Sequence, residues 1–430
     1  MIGSFDPKLR KVTIVGAGAA GLLAAEALDR QGYEVTLFEA SNRAGGLIET
    51  QKTPWGIAEK AAHSFLVTTP VRELCERIGV ELIPARNRAR YVLRNGKPRK
   101  FPLTPVEALH AFVRAYFVLA PSGSENLSFA HWTRRFLGEA ALDFLVSPFL
   151  TGIYGANPEE ILVSAAYPNL TVPPGHSLLS WQLAKKIRKK REKKEPVTLM
   201  APRDGMGSFI DKLDRHLRAR LRDRYRLGTP VRSGDEILSS VANLLLATPA
   251  FEAAKLLATH DPALSSALEK IRYTSLVATT VFARKSDFEK LPVGVGVLFS
   301  SKEKMEGLGV LFTSSSFAER IANESEELSL TVMMGGSRDP EACSASDEEI
   351  QQRAKKDLDQ LFGIKRGAQL RFVIQRSPRA IPRYDADLLQ AWKSAKAGWC
   401  ATPGRILFGN YTGQVSLRGM IEELAGSLHA

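Results

Sequence analysis

Apolar positions along this chain change their period from segment to segment, and each change predicts an element. Residues 12–15 form a short β-branched run, residues 22–31 a helical stretch stopped by Gly32, and residues 34–38 a second strand that runs into Glu39. Residues 71–79 have the spacing of a short amphipathic helix, and residues 86–93 read as an extended segment before an Asn95-Gly96 turn. With a period of two, Arg86, Arg88 and Arg90 project from one face of that segment, either solvated or gathered round an anion.

Residues 101–195 differ from both flanks. Pro102, Pro105 and Pro121 break up apolar stretches, of which residues 108–120 are too few to span a bilayer and are interrupted by Arg114. That stretch predicts a buried or an interfacial helix. Residues 163–181 add aromatics and leucines that read as exposed. From about residue 270 the pattern turns to strands at 275–282, 293–299, 309–313 and 328–334, interrupted by one acidic helix, Asp347 to Phe362. A strand, a Gly409-Asn410-Tyr411 turn and a terminal helix close the chain. The fold class expected is α/β: a Rossmann-type domain, a mixed-sheet domain, and a mostly α-helical insertion.

Composition changes this picture only in its charge. The 430 residues allow two or three domains, and 44% hydrophobic with 24% charged residues is ordinary for a globular protein. Lys and Arg number 59 against 46 Asp and Glu, a formal charge of +13 that favours an anionic partner. Residues 185–195, KKIRKKREKKE, supply +6 of it. Beside an apolar insertion this run fits peripheral attachment to an anionic membrane surface; a solvated charged helix is the plain alternative. Nucleic acid is not expected, because the run has no interleaved aromatics and the chain no zinc spacing. Cys75, Cys343 and Cys400 are far apart, so neither a disulfide framework nor a thiolate metal site is expected. The seven His form no ligand cluster, so no metal is expected either. The N-terminus does not read as a signal peptide, and the expected location is cytoplasmic.

The candidate chemistry begins at Gly16-Ala17-Gly18-Ala19-Ala20-Gly21. Gly16 permits the turn, Gly18 lets backbone approach a pyrophosphate, and Gly21 lets helix and strand pack closely. Glu39 stands 18 residues beyond Gly21, near the spacing of a ribose-binding acid, and would repel a 2′-phosphate. The continuation Ser41-Asn-Arg43-Ala-Gly45-Gly46 resembles the flavin amine oxidase superfamily, where it accompanies a permanently held FAD. FAD is therefore the cofactor expected. No G-x-S-x-G elbow is present, so hydrolytic chemistry is not supported.

Taken with GAGAAGL and EASNRAGGLIET, the segments NRARYV, SPFLTGIYGANPEEI, AYPNL, PRDGMGSFIDKL, LPVGVGVLFSS, GLGVLFTSSSF, LTVMMGGSRDPE, AIPRY and LFGNYTGQVSLRGMIEEL make the chain resemble the protoporphyrinogen oxidase family over most of its length. The resemblance implies an FAD-binding domain (1–85, 196–270, 386–430), a substrate domain (86–100, 271–385) and a helical membrane-binding insertion (101–195). It implies oxidation of a porphyrinogen by six electrons, with molecular oxygen as acceptor and hydrogen peroxide released, on the inner face of the cell membrane. Arg88 aligns with the arginine that faces a substrate propionate; Gly296, Leu298 and Met333 fall on positions lining the macrocycle pocket. Gly16, Ala17, Gly18, Ala19, Ala20, Gly21, Glu39, Ala40, Arg43 and Leu47 carry over to the FAD, as do Ser64, Val231, Val415, Ser416 and Leu417.

Two positions depart from that family. Ala61-Ala62-His63 replaces a Gly-Pro ahead of Ser64, which puts the loop under the flavin in question, and Ser377 stands where a tryptophan is common before A-I-P. Protoporphyrinogen IX is the substrate expected. Coproporphyrinogen III, whose four propionates would use Arg86 and Arg90 as well, is the alternative, and another flavin amine oxidase activity a further one. Transfer of product to a chelatase and a homodimeric assembly stay open.

Overall fold

The computed structural model describes residues 1–6, 8–188 and 197–427. The expected nucleotide unit is the centre of a five-stranded sheet. Lys11–Val15 lies between Glu34–Phe38 and Leu244–Leu246, with Tyr225–Arg226 and Arg405–Leu407 outermost, and every neighbouring pair is parallel. Leu244, Leu245 and Leu246 are all buried, as expected of a parallel strand covered on both faces. Helices Ala19–Arg30, Met206–Leu221 and Leu417–Ser427 share one core with Ile14, Leu22, Leu28, Phe209, Leu213, Met420 and Leu424. Three distant stretches of chain thus complete one sheet.

A second, seven-stranded sheet runs in the order Arg371–Pro382, Tyr273–Arg284, Glu327–Gly335, Gly309–Leu311, Gly296–Phe299, Arg90–Arg94, Lys97–Arg99. All its pairs are antiparallel except Gly296–Phe299 with Arg90–Arg94. Val277, Val281, Val297, Val310, Leu330 and Val332 line one face, covered by helix Asp347–Phe362 through Ile350, Ala354 and Leu358. The Ser346 hydroxyl accepts from the Glu349 N–H, and Asp347, Glu348 and Glu349 sit at the positive end of the helix dipole. The edge strand Arg371–Pro382 has no clear signature in the sequence: Pro378 and its polar neighbours hide the period of two.

The structure corrects the reading of residues 86–93. The strand starts only at Arg90, so Arg86 and Arg88 precede it, and Arg86 is paired with Glu324.

Between residues 105 and 188 the chain is helical, with Pro105–Phe117, Phe129–Phe136, Ser147–Tyr154, Val163–Ala166 and Leu178–Arg188 among its elements. Thr104 and Glu107 form a reciprocal capping box at the first of these, with Pro105 just inside. Glu107 also takes a two-pronged bond from Arg94, at 2.7 and 2.8 Å, and this bond is the first cause holding its carboxyl down to about 2. Helix and sheet are thereby tied. The reading of 163–181 as exposed is corrected, since Val163, Ala165, Val172 and Leu178 are core residues. Exposure falls instead on Phe101 (88%), Val106, Leu109, Phe112, Tyr116 and Phe117, and on Leu183 and Ile187 (75%). Of the basic run, residues 189–195 lie outside the described residues. Among the described residues no helix is long and apolar enough to cross a membrane.

Candidate active site

A cavity of about 1680 Å³ opens beside the carboxyl ends of the parallel strands and extends to the seven-stranded sheet. Its floor is the Gly-rich turn. Gly16 has φ +103°, and its N–H donates to the Phe38 carbonyl at 2.7 Å, joining the turn to the second strand. A Cβ at Gly21 would lie 1.8 Å from the Gly16 carbonyl oxygen, whereas one at Gly18 would meet nothing within 4 Å. Gly21 therefore serves packing, and Gly18 leaves open space above the helix N-terminus. That terminus has no side-chain cap and no acid in its first turn, so its N–H groups and positive dipole end remain available to an anion.

Glu39 closes one side. Its Oε2 accepts from the Ala17 N–H at 2.7 Å, and its Oε1 accepts from the Ser41 N–H and hydroxyl at 2.9 Å each. The carboxylate is held at the cavity wall with lone pairs to spare. Arg43 turns away and donates to the carbonyls of Ala44 at 3.2 Å and Gly46 at 2.6 Å, clamping the Gly45-Gly46 turn. Ala19, Ala20, Ala40, Leu47, Ser64, Val231, Val415, Ser416 and Leu417 line the same cavity; Ala17, Gly21 and Arg43 support it from behind.

The second sheet supplies the opposite wall. Met333 lines the cavity and lies in register with Gly309 and, through it, with Leu298, so the three share one sheet face. Gly296, two residues before Leu298, belongs to that face and pairs with Arg90. Gly296 and Leu298 lie outside the cavity wall, and Leu298 packs against Gly152. Arg88 is exposed, ahead of the strand and outside the wall. Residues that sequence reasoning missed come from the helical segment: Phe149, Ile153, Tyr154 and Tyr167 form an apolar, aromatic wall. The Tyr154 and Tyr167 rings meet edge to face at 6.2 Å, and burial pushes both phenols above their usual pKa. Their signal was present, because both lie in segments that carried the family resemblance.

The profile of the flavin containing amine oxidoreductases matches residues 19–423. The chain belongs to that family. It is 26% identical over 469 aligned residues to protoporphyrinogen oxidase 2, chloroplastic/mitochondrial, of Arabidopsis thaliana, covering 95% of this chain and 91% of that protein. It is 22% identical over 430 residues to coproporphyrinogen III oxidase of Staphylococcus aureus (strain NCTC 8325 / PS 47), covering 90% of this chain and 91% of that protein. A crystal structure from Exiguobacterium sp. 255-15 shares the fold at a TM-score of 0.73 and 19% identity, with 99% of this chain and 100% of that one covered. The likeness to protoporphyrinogen oxidases expected from the motifs therefore extends over nearly the whole chain.

As a flavin amine oxidoreductase the chain is an FAD-dependent enzyme, and its residues fit that cofactor. The open space over Gly18 and the uncapped helix suit a pyrophosphate, and Glu39 suits ribose hydroxyls. The loop with Ala61-Ala62-His63 departs from the family without leaving the site: Ala61, Ala62 and Ser64 all line the cavity. Behind it, both His63 ring nitrogens are buried without a hydrogen-bond partner. Burial first, and the nearby Arg320 second, pull the imidazole down to about 4. Arg320 is itself fully buried, 3.5 Å from Glu59, whose carboxylate accepts from the Met206 N–H at 2.8 Å. Burial raises the Glu59 pKa, and the guanidinium opposes that rise.

Proposed function

We propose that this enzyme oxidises protoporphyrinogen IX to protoporphyrin IX. The observation that carries the reading is the single cavity joining a dinucleotide cradle to a broad apolar wall of Leu276, Met333, Phe149, Ile153 and Tyr167, a shape and chemistry suited to a flat macrocycle. The names of the Arabidopsis and Staphylococcus relatives support a porphyrinogen as substrate. FAD, when bound, supplies two-electron acceptance from substrate C–H bonds and reoxidation by molecular oxygen, with hydrogen peroxide formed. Three such turns remove the six electrons. The chain's own contribution is placement and dryness: the apolar wall excludes water and sets the ring plane, and Leu298 and Gly296 support Met333 from the same sheet face. Arg88, exposed two residues ahead of Arg90 where that strand begins, is the propionate partner in this reading.

Membrane attachment belongs to the same proposal. Residues 101–195 are taken as a membrane-binding insertion on the remaining FAD-binding (1–85, 196–270, 386–430) and substrate (86–100, 271–385) segments. The exposed Phe101, Val106, Leu109, Phe112 and Phe117 with Lys185 and Lys186 provide apolar anchors and cations for the anionic inner face of a cell membrane. Coproporphyrinogen III is the second reading, favoured by the exposed Arg88 and Arg90; Arg86 is already paired with Glu324.

Anaerobic addition of each porphyrinogen to the purified flavoprotein tests the proposal. Bleaching of the flavin with growth of porphyrin fluorescence is expected, faster with protoporphyrinogen IX. A flavin unmoved by both substrates overturns it.

A further inference from the structure

The seven-stranded sheet loses its register at one point, and that point lies in the cavity wall. Leu276 pairs with Ser377 and Thr274 with Ile381, so Ser275 alone faces Pro378, Arg379 and Ala380. Two extra residues make a bulge on the edge strand, where Pro378 has no N–H to forfeit. A bulge re-aims side chains, and here Ser377, Arg379 and Ile381 all line the cavity.

The Arg379 side chain makes no ion pair and no hydrogen bond among the described residues. Its guanidinium lies 4.5 Å from the centroid of the Phe251 ring, a stacking that leaves its donors unclaimed. The two acids of the cavity wall are engaged elsewhere, Glu39 by Ala17 and Ser41, and Glu252 by Lys255 at 2.9 Å. Ser377 is 4% exposed, and its buried hydroxyl has no hydrogen-bond partner. A free planar cation and, two residues before it on the bulged strand, an unpartnered hydroxyl in the lining of the same cavity make a donor set for an oxyanion.

We propose that Arg379 and Ser377 form an oxyanion subsite in the cavity, separate from Arg88. Two anions carry the matching chemistry: a carboxylate on a substrate side chain and a phosphate oxygen of the cofactor. The carboxylate source rests on the porphyrinogen reading; the phosphate source does not.

The test compares wild type with R379Q, R379K and S377A in two binding assays. In the first, flavin-loaded protein is titrated with coproporphyrin III and with its tetramethyl ester. A carboxylate subsite gives wild type at least a tenfold preference for the free acid, lost in R379Q, reduced in S377A and partly kept in R379K. In the second, deflavinated protein is titrated with FAD and with riboflavin. A phosphate subsite gives R379Q at least a tenfold weaker FAD affinity with riboflavin binding unchanged. Either pattern supports the subsite and names its anion; unchanged acid preference together with unchanged FAD affinity overturns it. Turnover of the porphyrinogens is scored separately, so a protein that oxidises neither sinks the proposed function while the binding assays still decide the subsite. Arg379 is exposed, so R379Q and R379K are expected to fold.

Discussion

Two glycines of one motif separate packing from binding. Gly21→Ala drives a methyl into the Gly16 carbonyl, so it should cost about 1–3 kcal/mol or more and lower the melting temperature of both the apo and the flavin-loaded protein. Gly18→Ala adds its methyl to open space in the cradle; melting of the apo protein should stay near wild type while flavin content collapses. Equal behaviour of the two variants would remove the distinction. His63 predicts a pH effect. Its folded pKa of about 4 lies below its ordinary 6.5, so the unfolded chain takes up the proton first. The contribution is complete above pH 6.5 and lost as pH falls through 4, by at most about 3 kcal/mol. Chemical denaturation of wild type and H63N between pH 4 and 7 should show the smaller slope for H63N. The comparison isolates the histidine from Glu59, whose shift has the opposite sign. Removing Glu59 by Ala should cost about 3–5 kcal/mol, because Arg320 would be left buried and uncompensated.

At the scale of elements, helices and strands with strong periodicity were legible and those whose role depends on a partner were not. Asp347–Phe362 matches its predicted span because cap, acids and apolar stripe agree locally. Arg371–Pro382 was not visible, since an edge strand with a bulge carries little pattern of its own. Helix Pro105–Phe117 could be read as buried or interfacial, and only its neighbours show which: Ala111 and Ala115 are buried, and the Phe112 and Phe117 side chains are exposed. Replacing Phe101 and Phe112 by Ser should leave melting within about 0.5 kcal/mol of wild type and reduce sedimentation with anionic vesicles at least tenfold. Retained sedimentation would take this helix out of the membrane contact. Raising salt should weaken the residual, charge-driven binding.

For the whole molecule, the cavity is bounded by residues as distant in sequence as Gly16, Tyr167, Met333 and Val415, so a ligand there braces both sheets. FAD at one hundred times its dissociation constant should therefore stabilise the apo protein by about 2.7 kcal/mol against urea. An unchanged unfolding midpoint would show that the cofactor site is not part of the cooperative unit.

What the sequence determined by itself is the local chemistry: the Gly-rich turn, the acid after the second strand, the helix caps and the family motifs are all written within short windows, where backbone sterics and capping bonds act. The tertiary structure decided what depends on residues far apart. It placed Met333 on the cavity face, left Arg88 outside the wall, buried Val163, Ala165, Val172 and Leu178, and set Arg379 in the cavity lining at a bulge. Burial, register and the opposing charge that a side chain meets are properties of packed partners, and no window of sequence contains them.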